Sequence, residues 1–143
     1  HLEKLANRTG ESAYLGVRDG GYAIILDKAP GTRRLEPHIA IGERDPVHIS
    51  AHGKALILDE DENRWRDLYA SARHISPFDI ETWITHQRDY ARRGIAYDLG
   101  EFDDALRGVA APIRDARGAI IGAIGLITAA LYMNEEQMRA VSK

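Results

Sequence analysis

His48 and His52 stand four residues apart with Ser50 between them, and Asp98 follows Ala96-Tyr97 at the end of a short apolar run. These side chains have the types and spacing that could do chemistry. Two histidines at i and i+4 share a helix face and could hold a metal. His48 precedes the helix start marked by Ser50, however, and the intervening Ile49, Ser50 and Ala51 make no HExxH pattern. Histidines so placed more often satisfy local backbone groups or line a polar cavity, so no metal ligand and no cofactor is assigned. Ser50 lacks both a Gly-x-Ser-x-Gly setting and a neighbouring base, which argues against a nucleophile elbow. Asp98, Glu101, Asp103 and Asp104 form an acidic cluster. A paired-carboxylate hydrolase needs two such groups held across a cleft, and residues this close on one loop read as a solvated face. Asp98 is the exception, because a strand end can aim a side chain into a pocket. A small metal-dependent or acid-base enzyme using His48, His52 and Asp98 is one reading of this set.

The other reading is binding. In the stretch Gly42 to Leu58, GERDPVHISAHGKALIL, Ser50 has the character of a helix N-cap ahead of an apolar run. The first amides of that helix, those of Ala51, His52 and Gly53, have no intrahelical acceptor. They point outward with the positive end of the helix dipole, a ready place for a small anion. Gly108 and Gly125 lie inside apolar strands, where glycine often marks close approach of a ligand or of another backbone.

These residues must be positioned by the elements around them. His1 to Arg8 has helical spacing at Leu2, Leu5 and Ala6, with Gly10 as a stop. Ser12 to Arg18 and Tyr22 to Lys28 read as strands joined by a hairpin at Asp19-Gly20, with Gly21 allowing a wider turn. Pro30 to Arg34 is a loop and Leu35 to Ile41 is expected to be extended. Asp59 with Glu62 matches a capping box before a helix bearing Trp65, Leu68 and Tyr69. Asp79 caps a second helix that Gly94 ends. Ile95 to Leu99 is a short strand. Arg107 to Ile113 and Ala119 to Thr128 form a second hairpin with central character. Asn134 with Gln137 suggests a further capping box, with Met133 and Met138 as a staple across it. Strands at both ends of a helical middle give an α+β fold with an antiparallel sheet.

Composition narrows the classes. The chain has 143 residues, a formal net charge of −3, 44% hydrophobic residues and no cysteine. One domain with a real core is expected. A free-standing nucleic-acid binder would carry a basic excess, which is missing. Thiolate chemistry and thiolate zinc sites are excluded. No run of ~18 apolar residues is present, so no membrane-spanning helix or membrane partner is expected, and cytoplasmic residence fits.

A further pattern runs in order along the chain: Thr9-Gly10-Glu11, Asp19-Gly20-Gly21, Gly42 with Pro46, His48 and Gly53-Lys54-Ala55, then Arg93-Gly94 before Asp98, and Val109-Ala110-Ala111-Pro112 before Asp115 and Gly118. As an ordered set this resembles the effector-binding domain of the isocitrate-lyase-regulator (IclR) family of bacterial transcription regulators. The resemblance implies a GAF-like fold, a curved antiparallel sheet with helices packed outside and a ligand cavity on its concave face. It implies that residues 1–143 form the effector-binding domain, with 1–8 as the end of a linker helix. Family members normally carry an N-terminal winged helix-turn-helix, absent from this chain, and associate as homodimers or tetramers. Operator DNA would then be met only through that missing domain.

The resemblance also places an effector site. The amides that grip the effector carboxylate correspond to Ala51 and His52, and the pocket aspartate to Asp98. A position often filled by cysteine corresponds to Gly108, and two that are serine in some members correspond to Gly125 and Ile127. Leu35, Pro37 and Leu106 fall near the wall, and the His52, Asp98 and His48 side chains could hydrogen-bond a phenolic hydroxyl or amide group of the ligand. Replacing small polar groups by Gly, Gly and Ile implies a roomier, less polar pocket, suited to an aromatic carboxylate of the hydroxybenzoate kind. Such a ligand regulates only by binding one arrangement of the protein better than another.

Overall fold

The computed structural model describes residues 1–73, 75–132 and 136. The expected capping box at Asn134 and Gln137, with its methionine staple, lies outside the described residues. Helix α1 spans Leu2–Thr9 and ends at Gly10, whose φ of 76° is the left-handed conformation that a side chain disfavours. Strands β1 (Ser12–Asp19) and β2 (Tyr22–Ala29) follow. Asp19 pairs with Tyr22, so the turn consists of Gly20 and Gly21, one residue later than Asp19-Gly20, with Gly20 at a φ of 59°.

Residues 30–43 contain no strand, although Leu35 to Ile41 read as extended. The pairing partner of β2 comes later, as β3 (Arg44–Pro46). Helix α2 (Ala51–Leu56) is a single short element. Two longer helices, α3 (Glu62–Ser71) and α4 (Ile80–Arg93), lead to β4 (Ala96–Asp98), β5 (Leu106–Arg114) and β6 (Ile120–Ala129). The six strands form one antiparallel sheet in the order β3-β2-β1-β6-β5-β4. The fold is the expected α+β architecture, a curled sheet with helices. Register shifts at Leu15/Gly16 and Ile113/Arg114 contribute bends of the kind that bulges impose.

Period-two alternation along the paired strands decides which side chains share a face. Register places Ser12, Ile127, Gly108 and Asp98 in one row across β1, β6, β5 and β4. The next row on the same face is Tyr14, Gly125, Ala110 and Ala96. Helix α2 lies over this face, where its Ala51, Ala55 and Leu56 join the main core. Leu2, Leu5 and Ala6 of α1 pack into the same core.

A second core lies behind α2, formed by Val47, Ile57, Trp65, Leu68, Trp83 and Ile84. Its tryptophans also make polar bonds. Trp83 Nε1 donates to the carbonyl of His48 at 2.6 Å, and Trp65 Nε1 donates to the carbonyl of Ile57 at 2.6 Å. Helix α3 is capped by Asp61, which accepts from Arg64 N at 2.8 Å, and not by Asp59. The Asp59 carboxylate goes instead to Arg114 of β5, in a two-pronged bond of 2.5 and 2.9 Å. Asp79 caps α4, and Gly94 ends it with a φ of 71°.

Candidate functional site

The site is built on the start of α2. Ser50 is extended, and its hydroxyl accepts from Gly53 N at 2.9 Å, which takes Gly53 out of the set of open amides. The amides of Ala51 and His52 find no hydrogen-bond partner among the described residues. Gly53 is required here, because a Cβ would lie 2.4 Å from Val47 Cα. The turn before the helix therefore presses directly on the helix backbone.

Ala51 lies over the sheet: a Cβ on Gly108 would sit 3.2 Å from Ala51 Cβ and 3.3 Å from Asp98 Cβ. Ala51, Asp98 and Gly108 are thus brought together, and Ile127 stands beside Gly108 in the same row. Gly125 has a different surrounding. A Cβ there would be 2.1 Å from the carbonyl oxygen of Val109, so its open side is taken by the backbone of β5. Leu106 is half-buried and pairs with Ala129, two residues before Gly108 on β5. Pro37 is half-buried, and Leu35 is exposed with its amide donated to the Tyr132 hydroxyl at 3.1 Å.

The two histidines part company. His52 is sealed against β1, with Nε2 donating to the carbonyl of Tyr14 at 3.0 Å. A carbonyl can only accept, so Nε2 carries the proton. Burial pushes His52 down to about 4, which keeps it neutral at ordinary pH. His48 is buried in the second core, edge-on to Tyr69 at a ring separation of 5.6 Å. The two rings do not converge as a ligand pair, and among the described residues no group of three or more His, Asp or Glu could hold a metal.

Asp98 is 6% exposed. Its Oδ1 accepts from Gly100 N at 3.0 Å and Glu101 N at 2.8 Å, closing the turn after β4. Burial pushes its carboxyl up to about 6, with Lys54 opposing and Glu101 adding to the rise. The remaining acidic residues separate by exposure. Asp103 and Asp104 are solvated as expected, whereas Glu101 is buried.

Sequence reasoning missed part of this face. Ser12 and Tyr14 belong to it by strand alternation, a signal that was available. Ser12 Oγ donates to Glu36 Oε1 at 2.5 Å, and Ile39 packs with Tyr14 and Ile25, with Ile127 beside them. Residues 36 and 39 come from the irregular stretch and had no local signal.

A model of the bacterial transcriptional regulator IclR C-terminal region matches residues 1–143. The chain belongs to the IclR family. Among its relatives is the HTH-type transcriptional regulator XynR of Escherichia coli K12, 27% identical over 96% of this chain and 56% of that protein. The acetate operon repressor of Salmonella typhimurium is 31% identical over 80% of this chain and 44% of its own length. This chain spans about half the length of these curated IclR-family relatives. Its fold matches the IclR of Thermotoga maritima with a TM-score of 0.87 at 21% identity, covering 99% of this chain and 60% of that one. It also matches the C-terminal domain of E. coli KdgR with a TM-score of 0.79, covering 99% and 85%. The relatives are named as regulators, and IclR proteins are not enzymes, so the metal-dependent or acid-base alternative is not favoured. Among the described residues, no helix is long and apolar enough to cross a membrane.

Proposed function

We propose that this chain senses a small carboxylic acid at the start of α2 and passes that state to a DNA-reading domain elsewhere in the full-length regulator. The observation that carries this reading is the pair of amides at Ala51 and His52, which have no partner among the described residues and lie next to Asp98 and Gly108. A carboxylate can accept from both amides. Ile127, and further off Tyr14 and Ile39, offer apolar contact for a ring. Asp98 stands within reach of a hydroxyl or amide on the ligand. The preferred ligand is an aromatic acid of the hydroxybenzoate class. Leu35, Pro37 and Leu106 belong to the outer wall, and Gly125 shapes the floor by letting β5 approach. His52 contributes its amide, since its ring is committed to Tyr14. His48 acts from behind, through the turn that sets up α2.

In the cell the domain works in the cytoplasm as part of a homodimer or tetramer, with residues 1–8 as the end of the linker helix. Binding regulates by favouring one arrangement of these copies over another. Titration calorimetry with 4-hydroxybenzoate, benzoate, pyruvate and glyoxylate tests the reading. The aromatic acids are expected to bind more tightly. Preference for the two keto acids overturns the aromatic class, and no binding by any of the four overturns the acid site.

A further inference from the structure

Two buried charged residues, Lys54 and Glu101, pair beside the proposed site. Lys54 is 1% exposed and Glu101 is 4% exposed. Lys54 lies three residues after Ala51 on α2, so the two share a helix face. Its Nζ is paired with Glu101 Oε2 and lies 5.5 Å from the centre of the Tyr90 ring on α4. Gln87 of α4 donates Nε2 to the Lys54 carbonyl at 3.0 Å. Glu101 in turn holds the Asp98 turn: its amide donates to Asp98 Oδ1 at 2.8 Å, and its Oε2 accepts from Leu99 N at 3.3 Å. An unbroken chain of contacts runs from α2, through Lys54 and Glu101, to the Asp98 carboxyl.

Stability alone is a poor reason for this arrangement. The cost of taking two charges out of water roughly cancels their attraction, and apolar residues of similar volume often serve as well. What an ion pair adds is geometry and local charge. Here the ammonium bonds one carboxylate, Glu101, and favours the charged form of a second, Asp98, and the site beside them is to receive a third.

We propose that Lys54 is a positioning residue for the acid site: through Glu101 it holds Asp98 against the start of α2 and sets the charge that an incoming acid meets. This rests on the acid-binding reading above. The groups that act on Asp98 are Lys54 from α2, Glu101 from its own turn and the Tyr90 phenol from α4. Strand β5 faces it with Gly108, which carries no charge, and Arg107 bonds the Asp104 and Leu106 carbonyls on the outside of the turn.

The test uses Lys54→Met, Glu101→Gln and the double variant, which leaves neither charge stranded if Lys54→Met alone does not fold. In ligand-free protein, the Asp98 side-chain carboxyl is titrated by ¹³C NMR. Its midpoint should rise in Lys54→Met and fall in Glu101→Gln, each by about one pH unit. Calorimetry with 4-hydroxybenzoate should show the double variant binding about tenfold more weakly than wild type at pH 7.5. Midpoints that stay put in the variants, or wild-type affinity in a folded double variant, overturn the positioning role while the acid site stands. A wild type that binds none of the four acids overturns the acid reading, and the role assigned to Lys54 falls with it.

Discussion

At the scale of single residues, Asp98 and His52 set opposite dependences on pH. The Asp98 carboxyl, held near 6, keeps a proton that the unfolded chain, at the usual carboxylate value, has already released. Stability from this group is therefore lost as pH rises from about 4 to 6, by on the order of 3 kcal/mol. His52, held near 4, is neutral where the unfolded chain is protonated, so stability is lost as pH falls from about 6.5 to 4 by a similar amount. The two offset one another. Asp98→Asn removes one side of the balance, and its urea midpoint, relative to wild type, should drop on acidification from pH 6.5 to 4. The comparison isolates Asp98 because the arginine-held surface carboxylates Asp59, Glu62 and Asp89 titrate alike in both proteins. A difference that stays constant with pH would remove Asp98 from this account.

The two strand glycines also separate at this scale. Gly125→Ala drives a methyl into the Val109 carbonyl and should cost at least about 3 kcal/mol by chemical denaturation. Gly108→Ala asks the Ala51 and Asp98 side chains to move by only tenths of an ångström. It should cost little stability and, if this face holds the acid, weaken acid binding. Equal destabilisation by the two changes would contradict this distinction.

At the scale of elements, α2 is too short to hold itself in place and is fixed by side chains from its neighbours. Trp83 reaches the carbonyl two residues before its cap, Gln87 a carbonyl within it, and Trp65 the one at its end. Trp83→Phe leaves the buried His48 carbonyl without that donor, and thermal unfolding should show a loss of about 1–3 kcal/mol. If α2 is the acid-binding element, affinity should fall in the same variant even well below its melting temperature.

Local signals made several of these elements legible in advance. Ser50 and Asp79 cap as their types suggest, and Gly10 and Gly94 end helices at positive φ. Contacts distant in sequence decided the rest. Asp59 lies in the turn after α2, where Glu60 N donates to the Ile57 carbonyl, and its carboxylate bonds Arg114, fifty-five positions away, so the cap falls to Asp61. Strand β3 contains only Arg-Asp-Pro and exists because Tyr22 to Ile24 offer it an edge. The parting of His48 from His52 depends on the turn at Val47 to Ile49, and the Lys54–Glu101 pair joins residues forty-seven apart. No spacing rule reports either.

At the scale of the whole molecule, the stretch after β2 is tied to the far end of the described chain. The Leu35 amide reaches the Tyr132 hydroxyl, and Arg33 lies over the Tyr132 ring at 5.1 Å while bonding Glu11. Glu11 is buried, but the two contacts that Tyr132 makes lie at the surface and add little free energy. Tyr132→Phe should leave the melting temperature within about 2 °C of wild type, while amide hydrogen exchange at Leu35 quickens. Unchanged exchange would show that the tie does not order this stretch.

The sheet ends on both sides in strands of three residues, β3 and β4. A growing cross-β stack must copy a long row of unsatisfied amides and carbonyls; β3 covers Tyr22 to Ile24 of β2 and β4 covers Gly108 to Ala110 of β5, so each border is broken into short pieces. Concentrated native protein should therefore resist fibre formation on long storage. Copies of this domain that do associate are then expected to meet by apposed surfaces rather than by sharing a long ladder.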